Sequence, residues 1–165
     1  MPAPPLRCRR VTDLYVPTPA PGERWIVGAI IHDGAGRIFV QRRSESRTLF
    51  PGAWDLVGGH LEAGESILGC LAREVGEETG WSIARIVTDL GTLEWSGNDG
   101  LDRLEVDYLV EVTGDLLHPQ LEQELHHDPR WVDREEALAL LDGTHQSDRL
   151  VRAVVERAFD ALAAP

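Results

Sequence analysis

The stretch from Gly59 to Trp81, GHLEAGESILGCLAREVGEETGW, constrains this chain more than any other. Glycines at Gly58, Gly59 and Gly64 predict a turn. The residues from Ser66 to Thr79 have helical spacing, and Gly80 is a natural stop, because glycine accepts the left-handed conformation that ends a helix. Ser66 or the residues just before it can cap the start, and Glu65 suits the positive end of the helix dipole. Glu74, Glu77 and Glu78 are related as i, i+3 and i+4, so they share one helix face. Like-charged pairs on an exposed helix cost roughly 0.2–0.5 kcal/mol each, and the dipole disfavours anions at this end. An oxygen-liganded cation such as Mg²⁺ would remove both penalties. Taken alone, REVGEE reads first as a solvated acidic face; its surroundings change that.

The full spacing is Gly59, five residues, Glu65, seven residues, Arg73-Glu74-Val75, one residue, Glu77-Glu78, one residue, Gly80 and a hydrophobe. It resembles the signature of the Nudix hydrolases, with every fixed polar and glycine position met. Trp81 stands where that family usually has an aliphatic residue, a departure that concerns packing and not chemistry. The resemblance implies an α+β fold, an α/β/α sandwich on a mixed sheet, with the box as loop–helix–loop. It also implies hydrolysis of a nucleoside diphosphate linked to another moiety, with Mg²⁺ or Mn²⁺ as cofactor. Glu74, Glu77 and Glu78, with the carbonyl of Gly58 or Gly59, match the metal ligands. Glu74 matches the residue that orients or deprotonates water, and Arg73 and Glu65 match an ion pair holding the loop to the helix. Family members often add an acidic residue from a later loop, and Glu122 and Glu124 lie in that region. Of the two, Glu122 fits slightly better by its distance from Trp131.

Two other readings stay open. Phe50-Pro51-Gly52-Ala53-Trp54, His60 and Gly64-Glu65-Ser66 also resemble isopentenyl-diphosphate isomerase, but its catalytic cysteine would fall at Gly58. A non-catalytic ligand sensor commonly loses box glutamates, and all are present here. Substrate choice lies outside the box. Subfamilies acting on ADP-ribose tend to carry a proline some fifteen residues past it, and none occurs between Trp81 and His118. Triphosphates, oxidised nucleotides, dinucleoside polyphosphates and nucleotide sugars stay open.

The chain of 165 residues fits one domain at 25–165 behind a Pro-rich N-terminal extension at 1–24. Within the extension, Val11 to Val16 could form an edge strand or an arm on a partner subunit, which leaves a homodimer open. A formal net charge of −12 argues against nucleic-acid and anionic-membrane partners, which demand basic patches; a small phosphorylated substrate remains compatible. Cys8 and Cys70 are too sparse for a disulfide framework, and no apolar run reaches membrane length, so a cytoplasmic location is expected.

Trp25 to His32 reads as a buried strand, Asp33 to Gly36 as a hairpin turn and Arg37 to Arg42 as the returning strand. A short strand at Trp54 to Val57 leads into the glycine turn. Arg42 and Arg43 alternate in direction, so at most one faces a pocket, where it would hold a phosphate or stack on a base. Strands follow at Ile83 to Trp95, Leu104 to Val112 and Arg130 to Asp133, then a helix at Arg134 to Leu141. Ser147 caps a final helix. His126 and His127 read as surface residues, and Gly69, Ala72 and Gly76 as a stripe inviting close packing. Trp25, Trp54, Trp95, Tyr108 and Phe50 are candidates for stacking on a base.

Overall fold

The computed structural model describes residues 13–165. The elements are β1 (Trp25–Ile31), β2 (Ile38–Arg43), β3 (Trp54–Asp55), β4 (Val57–His60), α1 (Ile67–Thr79), β5 (Ser82–Ser96), β6 (Asp102–Thr113), β7 (His126–Val132), α2 (Arg134–Leu140) and α3 (Asp148–Ala163). They build a sheet of order β4-β1-β6-β5 and a smaller one of order β3-β2-β7. β1 and β6 are parallel while the other pairs are antiparallel, so the larger sheet is mixed.

β1 is apolar throughout because both its faces are covered. Val27, Ala29 and Ile31 join Val106, Tyr108 and Val110 of β6 beneath Leu71 and Val75 of α1. Ile30 and Leu109 point the other way, toward Val155, Ala158 and Phe159 of α3. The period of two along each strand thus sorts side chains between an α1 side and an α3 side.

The turn at 33–36 forms, with Gly34 and Gly36 at positive φ and Asp33 N–H donating to the Arg37 carbonyl at 3.1 Å. It does not make the expected hairpin. Only His32 and Ile38 bridge before β2 leaves for the smaller sheet. The reason is that both edges of β1 are taken, by β4 and β6. The strand expected at Trp54 to Val57 is likewise divided: β3 pairs with β2, β4 pairs with β1, and Leu56 is the step between sheets.

Gly58 and Gly59 are strand residues of β4, opposite Gly28 and Val27, and not part of a turn. They are glycine because of what presses on them. A Cβ on Gly58 would lie 2.7 Å from the Val27 carbonyl oxygen, and one on Gly59 would run into the Glu74 carboxylate. Trp81 is buried, edge-on to Phe39 at 5.0 Å and stacked on Trp131 at 5.6 Å, with its Nε1 donating to the Asp115 carbonyl. An aromatic pocket therefore absorbs the departure at that position.

Further differences are local. β5 is one long strand made irregular by register shifts. β7 begins at His126, which is buried, while His127 is exposed. Gly69, Ala72 and Gly76 are exposed, and among the described residues no other element packs on that stripe. Ser147 makes no capping hydrogen bond; the turn before α3 is held by Asp148, which accepts from the Gly143 and His145 N–H groups. Of the segment expected as an edge strand or arm, 13–16 lies on this chain's own β5 and β6 without strand pairing, and 11–12 falls outside the described residues. Tyr15 N–H donates to Asp89, and the Tyr108 hydroxyl donates to the Tyr15 carbonyl. Among the described residues no helix is long and apolar enough to cross a membrane.

Ser66 caps α1 through its side chain, which accepts from Gly69 N–H, and Gly80 ends it at φ 75°. Gly80→Ala is expected to destabilise the protein by about 1–2 kcal/mol, the cost of a Cβ in the left-handed region. Gly76, at ordinary helical φ and open to solvent, is the control. Gly76→Ala should stabilise by up to about 1 kcal/mol. Urea denaturation of both variants checks the opposite signs.

Candidate active site

The C-terminal half of α1 lies along β4, and the box residues meet in the crevice between them. Arg73 is the hub. Its Nε and Nη2 grip the two Glu65 oxygens at 2.7 and 3.0 Å. Its Nη1 donates to Glu74 at 2.7 Å and Glu77 at 3.1 Å, and Nη2 also reaches the His60 carbonyl. One guanidinium thus joins the loop, the helix and the end of β4, as a planar fork with several donors can.

Three glutamates on one face prove to have three environments. Glu77 is half exposed and Glu74 mostly covered, both tied to Arg73. Glu78 turns inward, 4% exposed, and accepts from Gly58 N–H at 2.7 Å. Its other oxygen lies 3.4 Å from His126 Nδ1. His126 Nε2 is 3.6 Å from Asp55, which takes a hydrogen bond from Arg43 at 2.8 Å. Burial lifts the Glu78 carboxyl well above its ordinary range, and Asp55 adds to that. Burial also lifts Glu74, against the pull of Arg73. Glu65 moves the other way: its hydrogen bonds from Arg73 hold it down to about 2.

Glu122 is half-buried, and its charge raises both Glu74 and Glu78. Glu124 is exposed, with its carbonyl 3.5 Å from the Ser46 hydroxyl. Arg42 and Arg43 do separate, as alternation predicts. Arg42 bonds the Gly52 carbonyl and lies over the Trp54 ring at 5.5 Å. Arg43 lines a cleft beside β4 that encloses about 110 Å³ and opens to solvent. Gly58, Gly59, His60, Asp55 and Arg47 also border it. Of the aromatic candidates, Trp95 and Phe50 line the cleft, whereas Trp25, Trp54 and Tyr108 are buried.

Sequence reasoning missed Asp55, His126, Arg47, Glu105 and Asp107. The signal for the last pair is visible afterwards: acids alternating with apolar residues in LEVDYLVEV mark one face that is not ordinary core.

The donor set suits a hard divalent cation. Glu74 and Glu78 are oxygen donors whose burial makes their charge unfavourable, and a cation with oxygen ligands would offset this. Among the described residues, no three acidic, histidine or cysteine side chains already converge on one point. Arg73 is the physical reason, because it draws Glu74 and Glu77 to itself while Glu78 turns to Gly58.

If Glu65 and Arg73 act as one unit, Glu65→Gln and Arg73→Ala should each slow turnover, and the double variant should lose less than the sum. Strict additivity would mean they do not interact. The pH dependence has a definite sign. A folded-state pKa below the unfolded one contributes stability that is complete above about pH 4.5 and is lost as pH falls toward about 2. Glu65→Gln should flatten that part of the acid-unfolding profile.

A family profile described as NUDIX domain matches residues 22–154. An uncharacterised Nudix hydrolase of Yersinia pestis is 46% identical over 52 residues, 31% of this chain and 29% of that protein. The m7GpppN-mRNA hydrolase NUDT17 of Xenopus laevis is 31% identical over 122 residues, 66% of this chain and 41% of that protein. The matches therefore span less than half the length of these relatives. Among solved structures, a NUDIX hydrolase from Nitrosomonas europaea superposes with a TM-score of 0.68 at 25% identity, covering 82% of this chain and 87% of that one. With the profile spanning most of its length and a matching fold, this chain belongs to the NUDIX family.

Proposed function

We propose that this chain hydrolyses a diphosphate bond in a small nucleotide, a nucleoside diphosphate linked to another moiety, with Mg²⁺ or Mn²⁺ as cofactor. The observation that carries this is the pair of carboxylates, Glu74 largely covered and Glu78 buried, set against side-chain-free Gly58 and Gly59 at the edge of a cleft lined by two arginines. Glu74, Glu77 and Glu78 would hold the cation, with the carbonyl of Gly58 or Gly59 beside them. A divalent cation supplies charge neutralisation at phosphate oxygens and lowers the pKa of bound water.

The protein's own groups do the rest. Arg73, fixed by Glu65, aims Glu74 across Gly59. Burial raises the Glu74 carboxyl, and there it would orient or deprotonate the attacking water, the role of a general base. Glu122, half-buried and close enough for its charge to act on Glu74 and Glu78, would add a further carboxylate, whereas Glu124 is exposed. Arg43 and Arg47 border the cleft where phosphate oxygens would lie; Arg42 is engaged at Trp54. The Xenopus relative is named for action on mRNA. For this chain, a formal charge of −12 supports a small nucleotide over an RNA strand.

The test is release of phosphate or pyrophosphate from a panel of nucleotides. Turnover should vanish in EDTA and return with Mg²⁺ or Mn²⁺; full turnover in chelator would overturn the proposal. Glu74→Gln should lower the rate by at least about 10²-fold, the scale of losing a general base. Glu122→Gln should cost more than Glu124→Gln.

A further inference from the structure

Glu105 and Asp107 stand two residues apart on β6, so both side chains leave the same face of the sheet. That face is the α3 side, away from α1. Both acids line the cleft. In the parallel register they lie beside Ile26 and Gly28 of β1. Gly28 is where the sheet makes room, because a Cβ there would collide with the Asp107 carboxyl.

The two acids differ in their partners. Trp95 Nε1 donates to one Glu105 oxygen at 2.7 Å. Asp107 is 1% exposed, yet neither of its oxygens meets a hydrogen-bond donor among the described residues. An unpaired carboxyl in a protein interior is costly, roughly 1–3 kcal/mol or more for a charged group. Burial and the neighbouring Glu105 push the Asp107 carboxyl well above the usual carboxylate range. The capacity left over on the pair is to accept, at the Asp107 oxygens and at the Glu105 oxygen that Trp95 leaves free.

The walls above this floor are flat and apolar. Trp95 and Phe50 have ring centroids 5.8 Å apart. Trp95 is oriented by its bond to Glu105, and the Phe50 loop is tied to Asn98 in the turn after β5. Leu150, Val151 and Val154 of α3 also line the cleft. Arg43 and Arg47, with the glycines of β4, supply the part of the lining that suits anions.

We propose that Glu105 and Asp107 form a base-reading floor for a planar heterocycle that presents two adjacent N–H donors, with its phosphates directed to the arginines and box glycines. This rests on the hydrolase reading of the same cleft and adds to it which end of the substrate goes in and which edge is read. A guanine-type edge, a ring N–H beside an amino group, has the required donors. A hypoxanthine edge lacks the amino group, and a uracil edge flanks one N–H with two acceptors. The acid pair selects against both, since buried acceptors would be left unpaired or set against other acceptors.

The test is calorimetric binding of GMP, IMP and UMP to the full chain in EDTA, where no metal-dependent turnover contributes. GMP should bind roughly 10- to 100-fold more tightly than IMP or UMP, the scale of one hydrogen bond to a charged group. Asp107→Asn and Glu105→Gln keep side-chain size and should shrink the GMP-to-IMP ratio toward one. Equal affinities for the three nucleotides, no saturable binding, or an unchanged ratio in a folded variant would overturn the proposal. Should Asp107→Asn fail to fold, Glu105→Gln and the comparison in the unaltered protein still decide it. A GMP preference without any metal-dependent hydrolysis would sink the proposed function and leave this floor standing; hydrolysis with no preference would do the reverse.

Discussion

The close approach of α1 to β4 is the constraint on which the rest of the site depends. The Glu74 carboxylate occupies the space where a side chain on Gly59 would be, and the Gly58 N–H ends on Glu78. A Cβ at Gly59 would displace the Glu74 carboxylate from that position. Arg73 then fixes the slide of the helix along the strand, because it holds Glu65 before the helix, Glu74 within it and the His60 carbonyl on β4. A lysine could not replace it: a single ammonium cannot grip Glu65 with two parallel bonds while reaching Glu74 and the carbonyl.

The second constraint is that β1 has no free edge. With β4 and β6 on its two sides, the chain after the turn at 33–36 must start another sheet. Leu56 carries it back. This detour brings Asp55, at the end of β3, and His126, at the start of β7, beneath Glu78. The cleft opens beside β4 on the face that carries the acid pair of β6, with β1 between those two strands.

This explains what the sequence could and could not disclose. Glu65, Arg73, Glu74, Glu77 and Glu78 were legible because their geometry is helical and local, and spacing along a helix fixes direction. The helix start at Ser66 and its end at Gly80 were legible for the same reason. Gly58 and Gly59 read as turn residues, whereas they are strand residues whose side chains a close neighbour excludes. His126 reads as a surface histidine in an acidic loop, and nothing local says that β7 buries it against Arg43 of β2. The supposed hairpin failed on the same ground. Strand partnership depends on which edges are already occupied, and that is a property of the whole sheet.

The acids of this protein are best understood by what offsets each one. Glu65 has a bidentate arginine and is held down to about 2. Glu74 has a share of that same arginine and is nonetheless raised by burial. Glu78 has one backbone N–H and a histidine 3.4 Å away, with Asp55 close enough to oppose its charge. Asp107 has a neighbouring acid and, among the described residues, no donor. Along that series the protein supplies progressively less of the partner. A purely structural carboxylate is normally buried only with its hydrogen bonds made, so incomplete pairing points to partners from outside the chain.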